Sequence, residues 1–145
     1  MEIPYILTRP GAKAPAYATP GAAAADLCAA LDKPLTLAPG QRAIIPTGVA
    51  VQLPGPQWVA LLCARSGLAV KRGLTLSNGV GVIDSDYRGE IGAGVVNLGE
   101  EPVTVEPGER VAQLCIAPVY TAAFVQADAL DETARGEGGF GSTGK

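Results

Sequence analysis

The stretch GVGVIDSDYRGEIGAG, residues 79–94, sets four charged side chains and a tyrosine between two glycine-rich apolar flanks. That pattern predicts two strands joined by a polar turn, a β-hairpin that presents its polar side chains together. Asp84 follows directly on Val82 and Ile83, so its carboxylate is expected at the edge of the core. Partial burial raises a carboxyl pKa and suits the group to take a proton from water. An aspartate in a turn also caps backbone N–H groups, and the segment alone leaves both roles open.

Two further stretches carry polar chemistry. In ARSGLAVKRG, residues 64–73, an apolar run gives way to a short helix expected over 67–73. A helix start offers unpaired N–H groups, Arg65 a planar fork and Ser66 a hydroxyl, all suited to a phosphate oxygen. The same residues also read as an N-cap serine beside a surface arginine. The last stretch, RGEGGFGSTG at 135–144, has Gly136 and Gly141 at phosphate-loop spacing, but Ser142 stands where that motif needs lysine. A P-loop is therefore rejected. Successive glycine N–H groups can still wrap an anion, with Ser142 and Thr143 as donors, Arg135 as charge and Phe140 as a stacking face. A frayed terminus is the plain alternative.

Composition narrows the chemistry. The 145 residues are 48% hydrophobic and 17% charged, which predicts one globular domain. There is no histidine, so triads built on imidazole and most transition-metal sites are excluded. Acid–base work falls mainly to carboxylates, and a hard, oxygen-bound cation is the expected metal. Cys28, Cys63 and Cys115 lie apart within apolar runs and read as reduced thiols of a cytoplasmic protein. A net charge of −3 without a basic block argues against nucleic acid. No apolar run is long enough to span a membrane, and no export signal is evident.

Those residues need a scaffold of turns and short strands. Pro-Gly occurs at 10–11, 20–21, 39–40, 54–55 and 107–108, each read as a tight turn with glycine at the positive-φ position. Apolar or alternating runs at 42–53, 58–64, 73–77, 93–98 and 110–119 read as strands. LTLAPGQR (35–42) echoes VTVEPGER (103–110), taken as two separate hairpins that use the same turn chemistry. The pattern predicts an all-β sandwich or barrel.

In order along the chain, AAADL (23–27), ARSGLA (64–69), NGVGVIDSDYRGEI (78–91), GERVAQL (108–114) and RGEGGFGSTG (135–144) resemble the five motifs of the homotrimeric dUTPase family. The resemblance implies a jelly-roll-like distorted β-barrel over residues 1–134, with one short helix. It also implies a flexible arm, 135–145, closing over a site on neighbouring subunits. The implied reaction is dUTP + H2O → dUMP + pyrophosphate, which limits dUTP available for DNA and supplies dUMP for dTMP synthesis. Asp84 would activate the water. Tyr87 would lie against the deoxyribose and exclude a 2′-hydroxyl, while Asn78 and the backbone at Gly81 would read uracil. Arg65, Ser66, Gly67 and Gln113 would hold phosphate. Mg2+ would sit mainly on the triphosphate, with Asp26 near it through water. From the arm, Phe140 would stack on uracil, and Arg135, Gly141, Ser142 and Thr143 would close on the γ-phosphate. Ala24 and Ala64 replace the family's usual glycine and proline. The competing readings are a deaminase of dCTP on the same fold, a silent dUTP sensor, and a structural barrel.

Overall fold

In WVALLCA, Ala60 and Leu62 are buried while Leu61 and Cys63, each following one of them, are not, the alternation of a strand with one face on a core. The computed structural model describes residues 1–139. They form β1 (Tyr5–Leu7), β2 (Ala16–Tyr17), β3 (Ala25–Cys28), β4 (Leu35–Leu37), β5 (Arg42–Pro46), β6 (Val49–Val51), β7 (Trp58–Ala64), α1 (Ser66–Arg72), β8 (Leu74–Leu76), β9 (Gly81–Ile83), β10 (Gly92–Asn97), β11 (Val103–Val105) and β12 (Arg110–Pro118). The expected strand at 58–64 and the short helix are both present, the helix one residue earlier than expected.

One sheet runs β2-β3-β12-β7-β9 and a second β5-β10-β8, with β1-β6 and β4-β11 as separate pairs. Every pairing is antiparallel. The sheets close around one core that includes Leu27, Leu37, Ile45, Val49, Leu74 and Val105. This is the all-β, jelly-roll-like architecture with a single short helix.

Four expectations fail locally. The segment 79–94 is not a hairpin: β9 pairs with β7 and β10 with β5 and β8, so residues 84–91 cross from one sheet to the other. The run 42–53 breaks at Thr47 and Gly48. Buried Thr47 donates its hydroxyl to the Ile91 carbonyl at 2.6 Å, and Gly48 takes φ +66° with no space for a side chain against Ala12. The chain thereby changes sheets. The echoing segments are not separate hairpins either; β4 and β11 pair with each other, Thr36 opposite Thr104 with their hydroxyls 2.8 Å apart. Each is followed by the same turn, in which the first residue's N–H (Ala38 or Glu106) meets the fourth residue's side chain (Gln41 or Glu109) at 2.9 and 3.0 Å. Of the Pro-Gly pairs, Gly11, Gly40 and Gly108 have positive φ; Gly21 and Gly55 do not, so those two turns are of another type.

Asn97 is a polar tie inside the core. Its amide donates to the Leu37 carbonyl (3.0 Å) and the Glu101 carbonyl (2.8 Å), and its oxygen accepts from the Gly99 N–H (2.9 Å). Asn97→Leu would strand buried backbone groups at about 1–3 kcal/mol each. A fall of about 3 kcal/mol in unfolding free energy is expected from urea melts; a wild-type midpoint would show that Asn97 does not hold these turns.

Candidate active site

β9 ends at Ile83, whose side chain is buried, and the pleat then turns Asp84 outward. Asp84 is exposed, so the partial burial expected from its position is not found within this chain. The Tyr87 N–H closes the turn on the Asp84 carbonyl at 3.2 Å, and Arg88 Nη1 donates to the Ser85 and Tyr87 carbonyls at 2.8 and 2.9 Å. The Tyr87 hydroxyl donates to the Glu90 carbonyl at 2.9 Å. Any Cβ on Gly89 would overlap that hydroxyl, which is why glycine stands there. Asn78, Gly81, Asp84 and Tyr87 line one cleft of about 260 Å3, floored by Leu62, Ile83 and Ile91.

Asp26, Arg65, Ser66, Gly67 and Gln113 line another, of about 420 Å3, which shares no lining residue with the first. Here Asp26 on β3 and Cys63 on β7 both stand opposite Gln113 on β12, one row across three strands. Gln113 donates to the Ala64 carbonyl at 2.9 Å, fixing the end of β7 where Arg65 begins the helix. Arg65 is the N-cap and Ser66 the first helical residue, so Ser66 is not the capping serine of the plain alternative. Arg65 Nε donates to Asp26 Oδ1 and Arg110 Nη1 to Asp26 Oδ2, both at 2.9 Å. A larger cleft of about 820 Å3, beside the end of α1, contains none of the candidate residues.

Arg135 donates to the Gly138 carbonyl at 2.8 Å in a local turn and lines neither cleft. Phe140, Gly141, Ser142 and Thr143 lie outside the described residues. Two site residues escaped the sequence reading, Arg110 and Glu90. Both stand in quoted motifs, but their partners are remote in sequence and only the fold brings them together.

The family model for dUTPase matches residues 11–144. The chain belongs to the dUTPase family. It is 56% identical over 144 residues to the deoxyuridine 5'-triphosphate nucleotidohydrolase of Desulfitobacterium hafniense strain DCB-2, covering 99% of this chain and 95% of that one. Against the protein of the same name from Thiobacillus denitrificans it is 48% identical over 145 residues, with 100% and 99% covered. Among solved structures, the dUTPase of Staphylococcus bacteriophage 80alpha with dUPNHPP superposes with a TM-score of 0.91 at 29% identity, covering 99% of each chain. Membership places the chain among the dUTP diphosphatases, hydrolases of nucleotide metabolism.

Within the dUTPase frame, Glu90 pins the N-terminal segment to the Tyr87 turn. Its carboxylate accepts from Thr8 Oγ1 (3.0 Å), Arg9 Nε and Nη2 (3.1 and 2.9 Å) and the Gly48 N–H (3.0 Å). Burial pushes its pKa up, but the hydrogen bonds from Arg9, Gly48 and Thr8 and the Arg9 charge hold it below the ordinary 4.5. A carboxylate with a depressed folded-state pKa adds stability above its unfolded pKa and loses it as pH falls through the folded value. Wild type should therefore melt above Glu90→Gln at pH 7, with the gap closing from about pH 5 toward pH 3. A constant gap over that range would show that the charge on Glu90 is not what holds Thr8, Arg9 and Gly48.

Proposed function

We propose that the chain hydrolyses dUTP to dUMP and pyrophosphate, with Asp84 as the base. The observation that carries this reading is the cleft in which Asp84 projects beside Tyr87, Asn78 and Gly81 over an apolar floor. The amide and backbone polar groups suit a pyrimidine edge, and the tyrosine face suits a sugar without a 2′-hydroxyl. The curated relatives' name and the nucleotide analogue held by the phage enzyme support the same substrate. Asp84 orients a water toward the α-phosphorus and takes its proton as the new P–O bond forms and pyrophosphate leaves. An exposed carboxylate reaches water readily, and bound substrate with a second copy of the chain would then desolvate it.

The division of candidate residues between two clefts supports a site shared between copies of a homotrimer. One copy gives Asp84, Tyr87, Asn78 and Gly81; another gives Arg65, Ser66, Gly67 and Gln113 for the phosphates. The arm closes over them, bringing Arg135, Phe140, Gly141, Ser142 and Thr143. The described residues include no group of three acidic or sulfur ligands, and both Asp26 oxygens already accept arginine donors. They fit a Mg2+ held by triphosphate oxygens and not by a protein cage. Such an ion would neutralise phosphate charge. We place the enzyme in the cytoplasm, where Cys28, Cys63 and Cys115, all free, stay reduced. No helix among the described residues is long and apolar enough to cross a membrane. In that compartment the reaction would limit dUTP and supply dUMP.

Purified protein with Mg2+ should release pyrophosphate and dUMP from dUTP and leave dCTP, dTTP and UTP intact. Deamination of dCTP would move it to the deaminase branch, and dUTP binding without turnover to the sensor reading. Asp84→Asn should keep nucleotide binding and lose about 10²–10⁴ in kcat; unchanged kcat would remove Asp84 as the base. Asp84→Asn and Arg65→Gln chains, each poorly active alone, should regain activity at roughly a quarter of the sites when refolded together. No recovery would place both residues' work on one chain.

A further inference from the structure

Residues 84–90 cross between the sheets on the outside of the protein, from buried Ile83 to buried Ile91. Within the crossing the bonds are local. The Tyr87 N–H donates to the Asp84 carbonyl, Arg88 to the Ser85 and Tyr87 carbonyls, and the Tyr87 hydroxyl to the Glu90 carbonyl. Among the described residues, every hydrogen bond from this stretch to the rest of the protein is made by the Glu90 carboxylate. Oε2 accepts from Thr8 and twice from Arg9, and Oε1 accepts from the Gly48 N–H. Glu90 also lines the cleft of Asp84, where a free acid would repel a polyanion. Arg9 instead neutralises it within the protein, and its side chain is only 22% exposed.

Glycine at 48 lets the N-terminal segment close on this point. Gly48 accepts from the Thr8 N–H at 2.8 Å, and any side chain there would meet Ala12 and Arg9. The following peptide is held as well, since the Ile91 N–H donates to the Val49 carbonyl at 2.8 Å. The carbonyl that receives the Tyr87 hydroxyl is thus fixed on one side by its own peptide and on the other by its side chain. The Tyr87 ring has few other restraints. Tyr87 is 45% exposed, its ring lies across the backbone of Gly89, and its hydroxyl makes one hydrogen bond among the described residues. A wall that excludes a hydroxyl by contact works only while it cannot recede, because crowding is costly only where the packed groups are unable to shift.

We propose that the Arg9–Glu90 clamp positions the Tyr87 ring and thereby sets how strongly the cleft discriminates deoxyribose from ribose. Arg9 and Glu90 are positioning residues; only Tyr87 meets the sugar. This rests on the reading of the cleft as a dUTP site, and it assigns part of that site's selectivity to an N-terminal segment outside it.

The test is calorimetric binding by the full chain of dUpNHpp and of its ribonucleotide counterpart UpNHpp, beside fluorine NMR of the unliganded protein labelled with fluorotyrosine. Wild type should prefer the deoxynucleotide. Glu90→Gln and Arg9→Met should each cut that preference about tenfold, chiefly by tightening UpNHpp. Arg9→Lys, which keeps the charge but not the fork, should restore part of it. Tyr87→Phe should lose a similar amount, and adding Glu90→Gln to it should cost little more, because ring and clamp act as a unit. The Tyr87 resonance, identified by its absence in Tyr87→Phe, should move in Glu90→Gln toward that of Tyr120, which is 97% exposed. An unchanged preference in both clamp variants, with only a lower Tm, would overturn the proposal and leave the clamp a purely structural tie. Arg9→Met, at an exposed side chain, should fold even where Glu90→Gln does not, and an unchanged preference there would be decisive alone. A wild type that binds both nucleotides alike would sink the sugar reading of the cleft, while the Tyr87 resonance would still report whether Glu90 orders the ring.

Discussion

A β-strand sends successive side chains to opposite faces, and on β7 that rule separates Leu62 from Cys63. Leu62 turns to the core side and floors the cleft of Asp84 and Tyr87; Cys63 turns outward to line the cleft of Asp26 and Gln113. The partners of β7 obey the same parity. Leu27 on β3 and Leu114 on β12 are buried, while Asp26 and Gln113 between such positions are not. The two clefts share no lining residue, and each is built on its own set of turns and strand ends. A nucleotide that needs a base at one end and cations at the other could then use one cleft from each of two copies of the chain, which is how the separation supports the proposed shared site.

The clefts hold their shape because the turns around them are tied over long sequence distances. Thr47, Asn97 and Glu90 each satisfy backbone groups of another element from a buried or half-buried side chain. Such groups are costly when unpaired in a low-dielectric interior, so each tie specifies one arrangement. Glu90 is the one nearest the chemistry: the same residue whose carbonyl orients the Tyr87 hydroxyl also clamps Thr8, Arg9 and Gly48. The Tyr87 ring, proposed to face the sugar, is thereby coupled to an N-terminal segment more than 75 residues away in sequence.

What the sequence revealed follows the range of the forces involved. Strand β7 and helix α1 are legible because alternation and a glycine C-cap are local; Gly73 takes φ +69° and its N–H caps the last turn. The hairpin expected at 79–94 failed because two neighbouring strands can each pair elsewhere, and only tertiary register decides. The kinship of 35–42 and 103–110 was visible, but not that the two would become each other's partner. The candidate residues of both clefts were legible through motif resemblance. Their partition between two clefts was not, since it depends on which strands and turns adjoin. Asp84 was placed at the core edge in sequence, and the pleat puts it outside.

The reach of the proposed arm is a matter of where the body releases the chain. β12 ends at Pro118, and beyond the Val119 N–H, bonded to the Gln57 carbonyl at 2.9 Å, residues 120–139 form no strand or helix. Tyr120 and Phe124 are 97% and 99% exposed, and Val125 and Leu130 nearly as much. Burying such side chains is worth about 1.5–3 kcal/mol each, so this segment lacks a surface that it could use. An arm starting at residue 135 would carry Phe140 only ~16 Å, while one released at Pro118 would carry it up to ~70 Å at full extension. A globular body of this size is about 35 Å across. In the proposed assembly only the longer arm would span a neighbour, with the exposed apolar side chains between Tyr120 and Leu130 supplying its docking surface. The division of labour the sequence suggested for 135–145 therefore extends back to residue 120 in the proposed assembly.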